Sequence, residues 1–444
     1  MNRIDEAARR TPVFGEFDVA VLGGGPAGIA AASAAARAGR STLLIERYGF
    51  LGGMGTAAGV TNFCGLHANV HGEIRQVVHG VADDLLARME ALGGLNAPHV
   101  IFNGKIAAQA YDNAALKIAA DGLVVSSGAR ILFHALAAGV AMRRRSEIGS
   151  LLIETKSGRH AVNAKIFIDC SGDGDLAAHA GVPFEKGPQL LYPTAMFRVN
   201  NVDPERAGDA WTRIPKLMEE AERKGRKFPR KAPIVRPQKN PTEWRVNVTQ
   251  IANPDGSAVD GTDAEQLSWA ELEGRRQIVD FFGFLRADVP GFENAYILEI
   301  APQVGIRETR RIVGEYQLSE EDVLGCASFD DTVGVNGWPV EAHVKGDVIF
   351  KFQDIPTSRG FNHLPYRMLV PRAVDNLLVA GRCASMTHMG QSAARVSGGC
   401  FVMGQAAGTA AALAIRDKRS PREIDVVELQ KQLESDGAYL GRTI

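Results

Sequence analysis

The sequence predicts an α/β chain: a parallel sheet covered by helices, interrupted by an inserted α+β domain. Three observations carry this expectation. An apolar run, a glycine-rich turn, an Ala-rich helical stretch and a second apolar run follow one another between residues 18 and 46. The alternation of strand and helix texture is lost between residues 188 and 355, where prolines, tryptophans and charges are denser. It returns at residues 376–380 and leads into a long uncharged stretch after Arg395. The first domain is therefore expected to be discontinuous, residues 1–187 with 356–444. The second is expected to be 188–355.

The elements follow in order. Residues 18–22 read as a short buried strand, 29–38 as a helix closed by Gly39, and 41–45 as a second buried strand ending at Glu46. Apolar spacing from Ile74 to Met89 predicts a helix over 72–92, and another is expected over 113–123. Strands are expected at 131–133, 150–155 and 164–168, with Ser157-Gly158 as a turn. In the inserted domain, 198–200, 244–251 and 296–300 read as strands and 264–285 as a long helix.

Composition excludes several classes. Of the 444 residues, 45% are hydrophobic and 23% charged, which argues against a disordered or fibrous chain. Fifty Lys+Arg against 51 Asp+Glu give a net charge of −1, so no global field draws the protein to nucleic acid or an anionic membrane. Cysteines at 64, 170, 326, 383 and 400 are too scattered for a disulfide scaffold, a zinc module or a dithiol. No metal site is expected. A reducing cytoplasm suits this usage, and residues 1–17 lack the apolar run of a signal peptide. The twenty uncharged residues between Arg395 and Arg416 are long enough to span a bilayer, but their glycines, Ser397, Gln405 and Thr409 predict a buried helix instead.

Gly23-x-Gly25-x-x-Gly28, with Pro26 and Ala27 inside it, gives each glycine a task. Gly23 permits the turn out of the strand. Gly25 lets a pyrophosphate approach the backbone, and Gly28 lets the helix pack closely on the sheet. The helix N-terminus presents unpaired N–H groups to an anion. Glu46, 18 residues beyond Gly28, can accept hydrogen bonds from ribose hydroxyls. An acid there favours FAD or NAD over NADP.

Further stretches choose between them. Ile168-Asp169-Cys170-Ser171-Gly172-Asp173-Gly174, Asn376-Leu377-Leu378-Val379-Ala380-Gly381-Arg382, Gly404-Gln405-Ala406-Ala407-Gly408, Gly305-Ile306-Arg307-Glu308-Thr309-Arg310-Arg311 and Pro365-Tyr366-Arg367 complete a pattern. With it the chain resembles the FAD-dependent oxidoreductase family, within the glutathione-reductase-like flavoproteins. Residues 200–295 carry no part of the likeness. The resemblance implies a Rossmann-like FAD-binding domain with a substrate-covering cap, and FAD as cofactor. It implies contacts from Arg47, Gly53, Met54, Thr56, Ala137, Ser171, Gly172, Asp173, Gly381, Arg382, Gly390, Ser392 and Arg395. It also implies that the helix starting near Ser392 or Gly398 stabilises reduced flavin with its N-terminal dipole.

Substrate-site candidates are His67, His71, His363 and His388, any of which could take a substrate proton. His388 and His67 are the first choices. Arg307, Arg310 and Arg367 could bind a carboxylate bidentately or pair with local acids. Cys64 reads as a small buried residue, and the basic residues from Arg223 to Lys231 as a solvated surface. No second GxGxxG appears, and no C-x-x-C, which disfavours an NAD(P)H domain and a disulfide reductase. Asp173-Gly174 is similar to a motif of aromatic hydroxylases, without their downstream arginine pattern. The expected function is transfer of a hydride from a small organic substrate to flavin N5, with reoxidation by oxygen, a quinone or another acceptor. A flavin monooxygenase using NAD(P)H and a non-catalytic escort protein of the same fold are the alternatives. The expected partner is a small molecule, with no nucleic acid and no membrane span; the oligomeric state stays open.

Overall fold

The computed structural model describes Ile4, residues 8–187 and residues 189–442. The domain boundary expected at residue 188 lies outside the described residues. Strand β1 (Val13–Leu22) turns through Gly23, whose φ of +99° is left-handed, into helix α1 (Pro26–Arg37). Pro26 sits at the first helical turn, where its missing N–H costs nothing, and Gly39 at φ +76° ends the helix. Strand β2 (Thr42–Ile45) follows and pairs parallel with β1.

Residues 72–92 do not form one helix. His67–Val70 and Glu73–Gln76 make a hairpin, and only Val81–Ala91 is helical (α2). The two turn residues, His71 and Gly72, both have positive φ (+48° and +96°), the geometry of a tight hairpin turn. Local turn chemistry outweighed the helical spacing there. Helix α3 (Asn113–Ser126) is capped by the Asp112 carboxylate on Ala115 N–H. Strands β3 (Arg130–Leu132), β4 (Leu136–Arg144), β5 (Glu147–Thr155) and β6 (Gly158–Asp169) complete this half.

A second set of elements comes next. Strand β7 (Phe197–Asn200), helix α4 (Ala210–Arg223), strands β8 (Ile234–Pro237) and β9 (Trp244–Asn247), helix α5 (Ala264–Asp288) and strand β10 (Tyr296–Ile300) build an antiparallel sheet in the order β8-β9-β7-β10. Its apolar faces form a core of their own, with Phe197, Ile214, Trp244, Val246 and Phe284 at its centre. Hairpin β11 (Val340–Val344) and β12 (Asp347–Lys351) follows. Within the span 188–355, residues 195–306 supply this core, whereas Ile312, Leu318, Val335 and Val340 pack into the first one.

Strand β13 (Leu377–Val379) then returns beside the C-terminal half of β6, and helices α6 (His388–Ala394), α7 (Ser397–Asp417) and α8 (Val426–Ser435) end the described chain. The parallel strands lie in the order β3-β2-β1-β6-β13, with β5 and β4 extending the sheet antiparallel from the N-terminal half of β6. This is the α/β arrangement expected.

Alpha7 is long and apolar enough to cross a membrane, but 94% of that window is buried inside the structure. It packs straight onto α1. A Cβ on Gly404 would lie 2.1 Å from the Ala27 carbonyl oxygen, and one on Gly408 would lie 2.2 Å from that of Ala31. The glycine-rich stretch is therefore a close-packing face between two core helices.

Candidate functional site

Leu22, Ile45 and Asp169 end adjacent parallel strands in register, and Val379 pairs with Asp169. Four turns leave the sheet at this edge. In open parallel sheets ligands bind outside the carboxyl ends of the strands. A cavity of about 580 Å³ lies there, floored by the turns after β1, β2, β6 and β13.

The first turn shows what each glycine does. A Cβ on Gly23 would meet the Cys170 carbonyl oxygen at 2.4 Å. One on Gly28 would lie 1.7 Å from the oxygen of Gly23 and 3.4 Å from Leu44 of β2, so Gly28 lets the helix close on both the turn and the sheet. A Cβ on Gly25 would touch only Gly53 Cα, at 3.5 Å, and Gly25 lines the cavity. The Glu46 carboxylate accepts from Gly24 N–H at 2.6 Å and Tyr48 N–H at 2.9 Å, which fixes it at the cavity edge. Arg47 lies beside it, 5.0 Å over the Tyr48 ring and 3.9 Å from Asp173.

Pro26, Ala27, Gly53, Met54, Ser171, Gly172, Gly381, Arg382, Arg395 and Arg307 also line the cavity. The remaining expected contacts stand elsewhere. Thr56 is buried, its hydroxyl spent on the carbonyls of Leu51 and Gly53. Ala137 lies in β4 opposite Ile153. Asp173 stands one step behind the wall, where it accepts from Thr309 and from Arg382 at 2.9 Å each. Gly390 packs against Leu318, and Ser392 bonds the Met389 carbonyl, both within α6. Asp169 is structural: it holds Ser171 and Ala177 N–H, and burial pushes its carboxyl up to about 6.

Of the catalytic candidates, the structure brings only Arg307 to the cavity. His388 pairs with Glu308 at 2.8 Å. His67 is buried in the hairpin, and burial lowers its pKa. Arg310 bonds Asp175 and the Asp173 carbonyl, and Arg367 is exposed beside Asp331. His71 bonds the Thr357 carbonyl, and His363 lies between Phe329 N–H and the Gly441 carbonyl. Cys64 lines the cavity, but burial pushes its thiol up to about 12, far from a reactive thiolate. In the basic run, Arg230 is fully buried, held by Ala232 and Asn247, and so is not solvated.

The far wall holds residues the sequence reading missed. Glu341 and His343 alternate along β11, which puts both on one face. His343 Nε2 lies 2.8 Å from Glu341 Oε1, and Trp338 Nε1–H donates to Oε2 at 2.7 Å. Burial opposes ionisation of Glu341, yet the His343 and Trp338 hydrogen bonds and the Arg395 charge bring its pKa to about 2. For His343 burial dominates, and the Arg307 cation adds to it; together they hold the imidazole well below its ordinary 6.5. The ring is neutral, donates from Nε2 to Glu341, and leaves the buried Nδ1 without a partner. The E-x-H spacing in a strand was the signal available for this pair.

The donor set suits a dinucleotide. A glycine turn opens on the cavity at Gly25, α1 points its N-terminus there, and α7 starts at Ser397 on the same wall. Arg382 Nη1 and Arg395 Nε are buried there without partners. These groups would hold the diphosphate and the redox ring of FAD.

Solved structures similar to this chain are distant. A geranylgeranyl bacteriochlorophyll reductase-like protein of Thermoplasma acidophilum is 15% identical, with 96% of this chain and 84% of that one covered and a TM-score of 0.49. The p-nitrophenol 4-monooxygenase PnpA of Pseudomonas putida DLL-E4 is 12% identical, covering 97% and 90%, with a TM-score of 0.46. The anhydrotetracycline hydroxylase OxyS of Streptomyces rimosus is 14% identical, covering 95% and 70%, with a TM-score of 0.44. No curated protein matches the chain. The sequence pattern described as FAD dependent oxidoreductase does match, over residues 18–433, and with that span the chain belongs to this family of enzymes, whose cofactor is FAD.

Proposed function

We propose that the chain is a dehydrogenase or oxidase that removes a hydride and a proton from a small organic substrate lying beneath the segment 188–355, which acts as its cap. FAD, when bound, supplies the two-electron acceptor, renewed by oxygen, a quinone or another acceptor. The observation that carries the reading is His343 on the cavity wall, with one ring nitrogen held by Glu341 and the other buried without a partner. Nδ1 takes the substrate's hydroxyl or amine proton as the carbon loses its hydride, and the Glu341 carboxylate steadies the imidazolium that results. Burial first, and the Arg307 cation after it, hold the pKa of that imidazole low. The five free cysteines suit the reducing cytoplasm proposed as its compartment.

The test is anaerobic mixing of the holoenzyme with candidate metabolites, read as loss of the oxidised-flavin absorbance. A substrate should bleach the wild type and bleach His343→Gln slower by about 10²–10⁴-fold. The base must be neutral to act, and its pKa lies below 6.5, so the acid limb of kcat/KM should fall below pH 6.5 and vanish in the variant. Equal rates in both proteins would refute the assignment. Bleaching that requires NAD(P)H and then yields a hydroxylated product would point to the monooxygenase instead.

A further inference from the structure

Two arginines on the cap side of the cavity have no counter-charge. Arg236 on β8 and Arg245 on β9 are direct cross-strand partners, so their side chains leave the same face of the sheet, and both line the cavity. Like charges placed directly opposite each other are destabilising. The next residue in that row shows how the fold treats such a charge when it is only structural. Arg198 on β7 pairs with Arg245 in register and is neutralised by Glu243 and Glu299. Among the described residues, no carboxylate comes within salt-bridge distance of Arg236 or Arg245. Their hydrogen bonds go to carbonyls only, Val235 for Arg236 and Val60 for Arg245.

Arg245 is 8% exposed, and its Nε has no partner. Burial draws its pKa down to about 10, which still leaves it charged at neutral pH. His99 stands on the same wall and is held down at about 4, by burial first and then by these two cations. Phe63, Phe102, Trp338 and Phe350 line the same cavity and give it an apolar wall. A buried, unpaired cation facing an apolar chamber is costly unless an anion completes it.

We propose that the substrate is a carboxylate with an apolar body, its carboxylate seated between Arg236 and Arg245 and its body against the aromatic wall. A planar guanidinium can meet a carboxylate with two parallel hydrogen bonds, and the buried Nε of Arg245 has no partner in the protein. The proposal rests on the reading of this end of the cavity as the substrate site, and it concerns binding, not turnover.

The experiment titrates the oxidised holoenzyme with benzoate and with its uncharged analogue benzamide, following the perturbation of the flavin spectrum. Benzoate should bind at least about tenfold more tightly than benzamide. In Arg236→Met, a change at the less buried of the two, the flavin should stay bound while that preference disappears. Arg245→Lys should keep the charge and recover only part of the benzoate affinity, because an ammonium lacks the two-pronged geometry. Equal affinity for the two probes in the wild type overturns the proposal, as does an undiminished preference in Arg236→Met that keeps its flavin. Benzoate preference without substrate bleaching would sink the dehydrogenase reading and leave this one standing. Bleaching by an uncharged alcohol with no benzoate preference would do the reverse.

Discussion

The two ends of the cavity are built from different material. At the sheet edge the wall is main chain: Gly23, Gly24, Gly25, Gly52, Gly53, Gly172 and Gly381 leave the backbone bare. At the cap side the wall is side chain: Arg236, Arg245, Arg307, Glu341 and His343, drawn from strands and loops spread across more than 100 residues. A bare backbone offers fixed donors and no tolerance, since any added atom fills either the ligand's space or the fold's own. A wall of side chains can be altered one group at a time. Substitutions at the first end should therefore act as all or none, and those at the second should be graded.

The largest effect is expected where bare backbone meets bare backbone. Gly404→Leu would force a side chain into the Ala27 carbonyl, which lies 2.1 Å from the first added carbon. Neither helix can move without opening the core, so the loss should exceed about 3 kcal/mol, read as a shifted urea midpoint or as insoluble protein. A variant of wild-type stability would mean that α1 and α7 are not in direct contact. Gly25→Val separates ligand space from fold space. Residue 25 has φ −75° and ψ −176°, an extended conformation that valine adopts readily, and its Cβ meets only Gly53 at 3.5 Å. The protein should fold with an unchanged circular dichroism spectrum. It should bind FAD at least about tenfold more weakly, since the extra carbons enter the cavity at a cost of about 1–3 kcal/mol. Normal flavin content per chain would place the diphosphate elsewhere.

That contrast also decides what the sequence could disclose. The glycine turn, the strand before it and the helix after it lie within about thirty consecutive residues, and each glycine has a local reason that a linear reading can find. Arg382 and Arg395 were found through the family resemblance, which covers the stretches around them. His71-Gly72 was misread because apolar spacing in one segment cannot reveal the hairpin turn that redirects it. The cap side was barely legible. Arg236 and Arg245 sit in a stretch where the sequence reading found no part of the family likeness, and they acquire meaning only when β8 and β9 pair in register. Glu341 and His343 did carry a period-two signal, but nothing in the chain announced that β11 would face the cavity.

A graded effect is expected at Arg395, where the two ends meet. It is half-buried, it lines the cavity just before α7, and its Nε is unpartnered. Reduction of the flavin adds negative charge, which a nearby cation favours. Arg395→Met should keep FAD bound and lower its two-electron potential by on the order of 30 mV, the equivalent of about 1.4 kcal/mol. A potentiometric titration with an unchanged midpoint would show that this cation lies too far from the redox centre to matter.

The smallest effect is expected at His388, the histidine favoured by position in the chain. It opens α6 just ahead of the glycine-rich segment, which made it an attractive base. Its ring points instead to Glu308, 2.8 Å away, and it is absent from the cavity wall. Glu308 is also held by Leu191 N–H and by Arg311, so losing the histidine leaves that buried carboxylate paired. His388 is itself about one-third exposed, and such an ion pair contributes at most about 1 kcal/mol. His388→Gln should therefore leave kcat/KM within experimental scatter across the pH range and shift the melting midpoint by a few degrees at most. The comparison with His343→Gln is the sharpest available. Both change histidine to glutamine beside a glutamate, and of the two only His343 lines the chamber. If His388→Gln abolished the acid limb of kcat/KM and His343→Gln did not, the proton would be leaving by the opposite route, and the side-chain wall described here would serve only to hold the substrate.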